Sequence, residues 1–399
     1  MKLDGAFLVY GAHWSTPFAK WQGSLAGCHP LQLAAQCATE ALARGQVPPG
    51  ELTSLVLGTT IPSPHAFYGA PWVATLLGAP AITGPTLAQA CATGAKAIAS
   101  AATTLCHARD AILVACADKT SNGPHLYYPN SAGPGGKGVA EDWVWDNFNR
   151  DPVPGNAMIQ TAENVAKAWG ITRAEQDELT LVRYAQYADA LADDAAFLRR
   201  FMPWPLQVKD AAGRKVVATV NGDEGVFASN AEGLARLRPV LAEGTVTFGT
   251  QTHPADGNAG AVVTTADRAK AWSKGGVRVA LRSYAQANAR KGFMAEAVVP
   301  AARLALDDAG FTAADVRIKT HNPFAVNDVL LAREFGLPFD AFNAFGSPLV
   351  YGHPQAPTGV RAILELVEEL VVRGGGRGLF AGCAAGDTAA ALCLEVHVA

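Results

Sequence analysis

Charge is scarce in this 399-residue chain: 32 Lys and Arg stand against 35 Asp and Glu, a formal net charge of -3 with 17% charged residues. No long Lys/Arg run breaks that balance, so the electrostatic footprint of a nucleic-acid-binding protein is missing. Local basic groups still suffice for a phosphorylated small molecule. Close cysteine pairs are missing as well. Cys28, Cys37, Cys91, Cys106, Cys116, Cys383 and Cys393 make an odd set of seven with no CxxC of the structural-zinc kind, which predicts separate, reduced thiols and no metal. No apolar run reaches membrane-spanning length, and the opening MKLDGAFLVYGAHWSTPF joins an early acid to an apolar stretch too short for a secretory signal. A cytoplasmic location without a membrane partner is the expectation. What is plentiful is apolar residues at 49%, with 40 Gly and 24 Pro. That predicts large cores, two domains or one core with an insertion, and apolar surface withdrawn into packed layers or a subunit interface.

Leu31 to Leu42 reads as a helix and 51–58, ELTSLVLG, as a short strand. A related order recurs from Ala301, where a helix ends near Gly310, a polar acidic turn follows, and Val316 to Lys319 leads as a strand into His321. Two similar α/β units are therefore predicted. Residues 119 to about 248 differ: a Gly/Pro-rich stretch, two helices broken at Gly170 with a capping box from Thr172 to Glu175, and a hairpin from Val208 into the loop at Gly225. They read as an excursion from the first core.

Three segments carry candidate chemistry. In GPTLAQACATGAKAIASAATTL, an extended approach gives way to small helix formers after Cys91, so that thiol is expected at a strand-to-helix junction. There the helix N-terminus favours thiolate and can hold an oxyanion. On the pattern alone a packed cysteine and a nucleophile both fit. In FNAFGSPLVYGHPQAPTGVRAILELVEEL, His353 lies between Gly352 and Pro354 before a helix with the apolar stripe Ile363, Val367, Leu370. It fits a base or a hydrogen-bonded loop residue. In GRGLFAGCAAGDTAAALCLEVHV, Cys383 is expected in a turn before a terminal strand Leu392 to Val398, with Cys393 packed in that strand. A thiol can exchange protons near neutrality. His321 and Asn322 end the strand into HNPF, where an α/β sheet presents groups to a ligand.

The ordered segments around Cys91, His353 and Cys383, with STPFAKWQGSLA and TAENVAKAWGITRAEQDELT, resemble the thiolase family through nearly the whole chain. The resemblance implies a thiolase fold in which two similar halves form a five-layered αβαβα core with an inserted loop domain. The amino-terminal half would be 1–118, continued at about 249–272, the region covering coenzyme A 119–248, and the carboxy-terminal half 273–399. It implies Cys91 as acyl-accepting nucleophile, His353 as its base, Cys383 as proton carrier at the α carbon, and His321 as donor to the thioester oxygen. Asn322 would stand behind His321, and the Ala385 N–H would join that of Cys91 at the tetrahedral intermediate. The activity implied is thiolytic cleavage of a 3-oxoacyl-CoA, or the reverse Claisen condensation, with coenzyme A as co-substrate and nothing tightly bound. Homodimers or homotetramers are usual, and some branches use a small zinc-containing partner.

Departures from the family's pattern fall near the site. Ala384, Ala385, Gly386 and Asp387 replace a glycine-rich run, FGSPLVYG with Pro348 replaces another, and THPADGNAG around His253 resembles a pantetheine-contacting loop in an altered form. These changes suggest an unusual branched, dicarboxylic or aromatic acyl group, with Tyr68, His125, Tyr127 and Tyr128 either lining its pocket or packing their loop. A decarboxylating ketoacyl synthase and a noncatalytic acyl-CoA-binding subunit are the rival functions, and Cys383 argues against the former.

Overall fold

The computed structural model describes residues 1–210 and 212–399. In the first half Ser54–Gly58 runs parallel to Ala111–Lys119, which pairs antiparallel with Ala255–Thr265, and that strand pairs antiparallel with Ala6–Ser15. The second half repeats the pattern: Val316–His321 is parallel to Gly375–Ala384, followed by antiparallel Thr388–His397 and Arg278–Asn288. The halves join edge to edge where Phe7 faces Ala280 and Leu8 faces Val279. Helices repeat in step, with Pro30–Gly45 matching Val298–Ala309 and Thr93–Thr103 matching Ala356–Val372.

Pro30–Gly45 packs outside the first sheet and Val298–Ala309 outside the second, while Thr93–Thr103 and Ala356–Val372 lie between the sheets. Three buried clusters mark the seams of this five-layered αβαβα stack. The strand Ala111–Lys119 shows why its sequence is almost continuously apolar: Ala111, Leu113, Ala115 and Ala117 face the outer seam, and Ile112, Val114 and Cys116 the central one. Cys116 is thus a packing residue.

The helix Ala356–Val372 departs from the sequence expectation of one apolar stripe. Every residue from Ala356 to Leu370 is buried, including Arg361, Glu365, Glu368 and Glu369, because both faces meet a sheet. Its charges are tolerated because they are paired: Arg361 forks onto Asp223 at 2.6 and 2.7 Å, and Glu365 takes Lys319 at 2.8 Å and the Tyr351 hydroxyl at 2.9 Å.

Between the strands of the first half, Met158–Trp169 ends on Gly170 at φ 58, and Arg173–Ala195 starts on the capping box of Thr172 with Glu175. Small hairpins form at His125–Tyr128 with Val139–Asp142 and at Leu206–Lys209 with Val216–Val220. Residue 211, between the strands of the second in sequence, lies outside the described residues. Among the described residues no helix is long and apolar enough to cross a membrane.

Candidate active site

The two central helices bring their first turns together. A Cβ on Gly94 would stand 2.6 Å from the Ala356 carbonyl oxygen, and one on Gly359 would stand 3.1 Å from the Ala95 nitrogen. Only glycine lets the backbones approach so closely. Two positive helix ends therefore converge on one spot, which Cys91, His353 and Gln355 border.

Cys91 sits between the short strand Thr86–Leu87 and the helix Thr93–Thr103. Ala90 before it holds a left-handed φ of 43°, a strained angle for a residue with a Cβ. The Thr93 hydroxyl clamps that bend, accepting from Gln89 N at 2.7 Å and donating to Ala90 O at 2.7 Å. The Cys91 sulfur lies 3.2 Å from His353 Nε2 and 3.3 Å from Gln355 Oε1. Burial pushes its thiol up to about 11, while N–H groups of Ala385 and of Cys91 itself pull it down.

His353 is buried and held at both ends, Nδ1 by Thr358 Oγ1 at 2.7 Å and its backbone N–H by the His253 carbonyl at 2.9 Å. Burial, then the neighbouring His321, depress its basicity well below the usual imidazole range. The His321 ring lies against it, tilted by 32° with centroids 4.2 Å apart, and both of its ring nitrogens lack a partner among the described residues. Burial lowers His321 to about 3, so it is a neutral imidazole. The donor atoms of Cys91, His321 and His353 all lie within 4.8 Å of one another.

Cys383 is found at the end of the strand Gly375–Ala384 rather than in the turn expected for it, and the terminal strand starts at Thr388, before the expected Leu392. The long pairing of these strands, from Gly375 with His397 to Ala384 with Thr388, leaves Ala385, Gly386 and Asp387 to make the reversal. Cys383 is fully buried, and burial followed by the charge of Cys91 raises its thiol well above the usual range. Asn327 Nδ2 lies 3.1 Å from its sulfur.

The altered loops keep workable backbones. Left-handed angles fall on Gly386 at φ 82 and Asp387 at φ 60, so Ala385 keeps a negative φ and presents its N–H to Cys91 without strain. The Asp387 carboxylate accepts from Gly292 N at 2.8 Å, which ties down a neighbouring loop. Asn322 donates to Asp328 at 2.6 Å and accepts from Leu349 N at 3.2 Å, fixing the strand end of His321 to the segment that leads to His353. The Thr252 hydroxyl donates to Pro348 O at 2.5 Å, and His253 Nε2 meets Glu224 O at 3.0 Å, so both side chains brace loops.

A cavity of about 430 Å³ adjoins the site, walled by Ile61, Trp143, Phe148, Met158, Gln355 and Ala385 among others. None of Tyr68, His125, Tyr127 and Tyr128 walls this cavity: the tyrosines are exposed at 64%, 65% and 45% and His125 is exposed too, while Tyr127 packs its own hairpin, its hydroxyl accepting from Gly138 N at 2.7 Å. Trp143 and Phe148 line the cavity in their place.

Sequence reasoning missed Gln355, Asn327 and Asp118. Asp118 had a signal, since a carboxylate closing the buried run AILVACAD needs donors. It accepts from Thr59 Oγ1, Thr60 N, Thr60 Oγ1, Ile61 N and Ala356 N, joining the cavity wall to the start of the central helix. Trp143 Nε1 in turn donates to Thr60 O at 3.0 Å. Burial pushes Asp118 up to about 6 against the pull of these donors. Protonation removes acceptor capacity, so activity should fall as pH drops through about 6. In Asp118→Asn that acidic limb should vanish from the kcat/KM profile, while one stranded donor costs about 1–3 kcal/mol locally.

The family model described as "Thiolase, N-terminal domain" matches residues 9–267, and that described as "Thiolase, C-terminal domain" matches 276–396. The chain is 29% identical over 400 positions to an acetyl-CoA acetyltransferase of Paracoccus denitrificans, with 95% of this chain and 97% of the relative covered. It is 32% identical over 424 positions to a 3-ketoacyl-CoA thiolase of Escherichia fergusonii, covering 96% and 95%. Among solved structures it is similar to the Bacillus anthracis acetyl-CoA acetyltransferase, with TM-score 0.88, 28% identity and coverage of 98% and 100%. It is equally similar to human mitochondrial 3-ketoacyl-CoA thiolase in complex with CoA, with TM-score 0.88, 26% identity and coverage of 99% and 99%.

Proposed function

The chain belongs to the thiolase family, and from that premise we propose that it cleaves a 3-oxoacyl-CoA with free coenzyme A, or runs the reverse condensation, through an acyl group on Cys91. The observation that carries this reading is the Cys91 sulfur at 3.2 Å from His353 Nε2 with the Ala385 N–H on the same sulfur. Burial raises the thiol and lowers the imidazole, which favours a neutral pair over an ion pair at rest. Attack on the 3-keto carbon then proceeds as the Cys91 proton passes to His353 Nε2. The N–H groups of Cys91 and Ala385 receive the tetrahedral oxyanion.

When the bond between C2 and C3 breaks, its electron pair moves into an enolate at the thioester oxygen. Protonated His353 and neutral His321, the latter through water, stabilise that oxygen. Cys383, kept as a thiol by burial, gives its proton to C2 and becomes a thiolate. Coenzyme A then attacks the acyl-cysteine, its proton restores Cys383, and His353 returns its proton to Cys91. Each group ends as it began.

The apolar cavity beside Cys91, with Trp143, Phe148, Ile61 and Met158, supports an acyl chain bulkier than acetyl, with branched or aromatic chains better served than a dicarboxylic one. Asp151 and Lys291 in that wall oppose one another in charge, so its apolar side chains set the preference. The region 119–248, between the half at 1–118 with 249–272 and the half at 273–399, is the proposed cover for coenzyme A. The short edge strand Thr86–Leu87 and the exposed Phe67 support a homodimer or homotetramer.

Incubation with a panel of 3-oxoacyl-CoA thioesters and CoA, followed by intact-protein and product mass spectrometry, tests this function. Acylation confined to Cys91 with release of acetyl-CoA is expected, and the retained mass identifies the acyl group. Condensation that depends on malonyl thioester without thiolysis would overturn it, as would an unmodified Cys91 throughout.

A further inference from the structure

Thiolytic cleavage as proposed above leaves Cys383 as a thiolate in a fully buried position, and that charge needs a donor. The carboxamide of Asn327, itself 3% exposed, puts Nδ2 at 3.1 Å from the Cys383 sulfur. Its Oδ1 has no hydrogen-bond partner among the described residues. A buried amide that leaves its acceptor unmatched while its donor meets a reacting sulfur is expensive for a purely structural contact. Asn327 lies on the helix Ala325–Phe335, which directly follows the HNPF segment, so one short stretch supplies both His321 and the contact to Cys383.

We infer that Asn327 is a catalytic residue of the carbon-acid step, donating Nδ2–H to the Cys383 thiolate whenever that sulfur has given up its proton. In condensation the thiolate removes a proton from the α carbon of an acyl-CoA. The C–H bond breaks, an S–H bond forms, and the electron pair passes into the enolate at the thioester oxygen. Once the sulfur is protonated, a half-turn of the amide lets Oδ1 accept the S–H, since oxygen and nitrogen occupy nearly the same space. The same side chain then serves both protonation states. This inference rests on the thiolase reading.

Its test is deuterium uptake from D2O at the α carbon of acetyl-CoA, measured beside alkylation of Cys91 by iodoacetamide, which needs no proton at Cys383. Asn327→Leu should slow uptake by about 10- to 100-fold, the worth of a hydrogen bond to a charged sulfur, while alkylation keeps its wild-type rate. Asn327→Asp retains the shape and should donate only while protonated. Its uptake rate should therefore fall as pH rises through its carboxyl titration, a limb foreign to the wild type, and this variant carries the test if the leucine variant does not fold. Uptake at the wild-type rate in Asn327→Leu overturns the inference, as does a parallel loss of uptake and alkylation with no new pH limb in Asn327→Asp. Failure of the thiolase reading registers separately, as wild-type Cys91 that no 3-oxoacyl-CoA acylates.

Discussion

Cys91→Ala should show no acyl adduct with any 3-oxoacyl-CoA and should lose thiolysis by at least about 10³-fold, the scale on which removing a covalent nucleophile acts. Alanine keeps the small volume, and the contacts that shape the bend, between Thr93 and residues 89 and 90, do not use the sulfur. The N–H groups of residues 91 and 385 remain to polarise a carbonyl, so substrate binding should persist while chemistry stops. Intact-protein mass spectrometry after mixing reads the adduct, and turnover at the wild-type rate would remove the central role given to this thiol. A serine in its place should be nearly as inactive, because a hydroxyl beside a base weakened by burial is harder to deprotonate than a thiol.

The parts of the fold legible in the sequence were those with local causes. Thr172 with Glu175 and the break at Gly170 are short-range signals, and both stand where the spacing put them. The recurrence of helix, glycine, acidic turn and strand pointed to two similar halves, and the matching strand directions carry the same repeat. What the pattern hid were consequences of layering. Arg361, Glu365 and Glu368 look like the solvent face of an amphipathic helix, yet a second sheet covers them, and beyond the Arg361–Glu365 pair one turn apart, partners far away in sequence, Asp223, Lys319 and Arg200, balance their charges. For the site, the motif residues were legible through family resemblance, whereas Gln355, Asn327 and Asp118 act through contacts that no spacing rule encodes. Gln355 at φ 65 is a case in point, since a strained backbone angle beside a proline has no signature in composition.

His353→Gln should lower the rate of Cys91 acylation by about 10²- to 10⁴-fold, the usual contribution of a positioned general base. A carboxamide can retain a contact to Thr358 but cannot accept the Cys91 proton and hold it for return. His321, its ring centroid 4.2 Å away, cannot take over, because its ring has no partner among the described residues to fix a tautomer and burial already lowers it to about 3. The pH profile separates the two imidazoles from the rest of the site. Both are held below the ordinary histidine range, so wild-type activity should show no loss centred on the usual imidazole value of about 6.5 beyond the Asp118 limb near 6. The Asp118→Asn background should then report the base alone: with His353 present its rate stays flat as pH falls past 6, and in the double variant with His353→Gln it is low at every pH. A histidine-like limb persisting near 6.5 in Asp118→Asn would mean that His353 keeps an ordinary imidazole basicity and takes up a solvent proton below that pH, against the depression that burial and His321 impose.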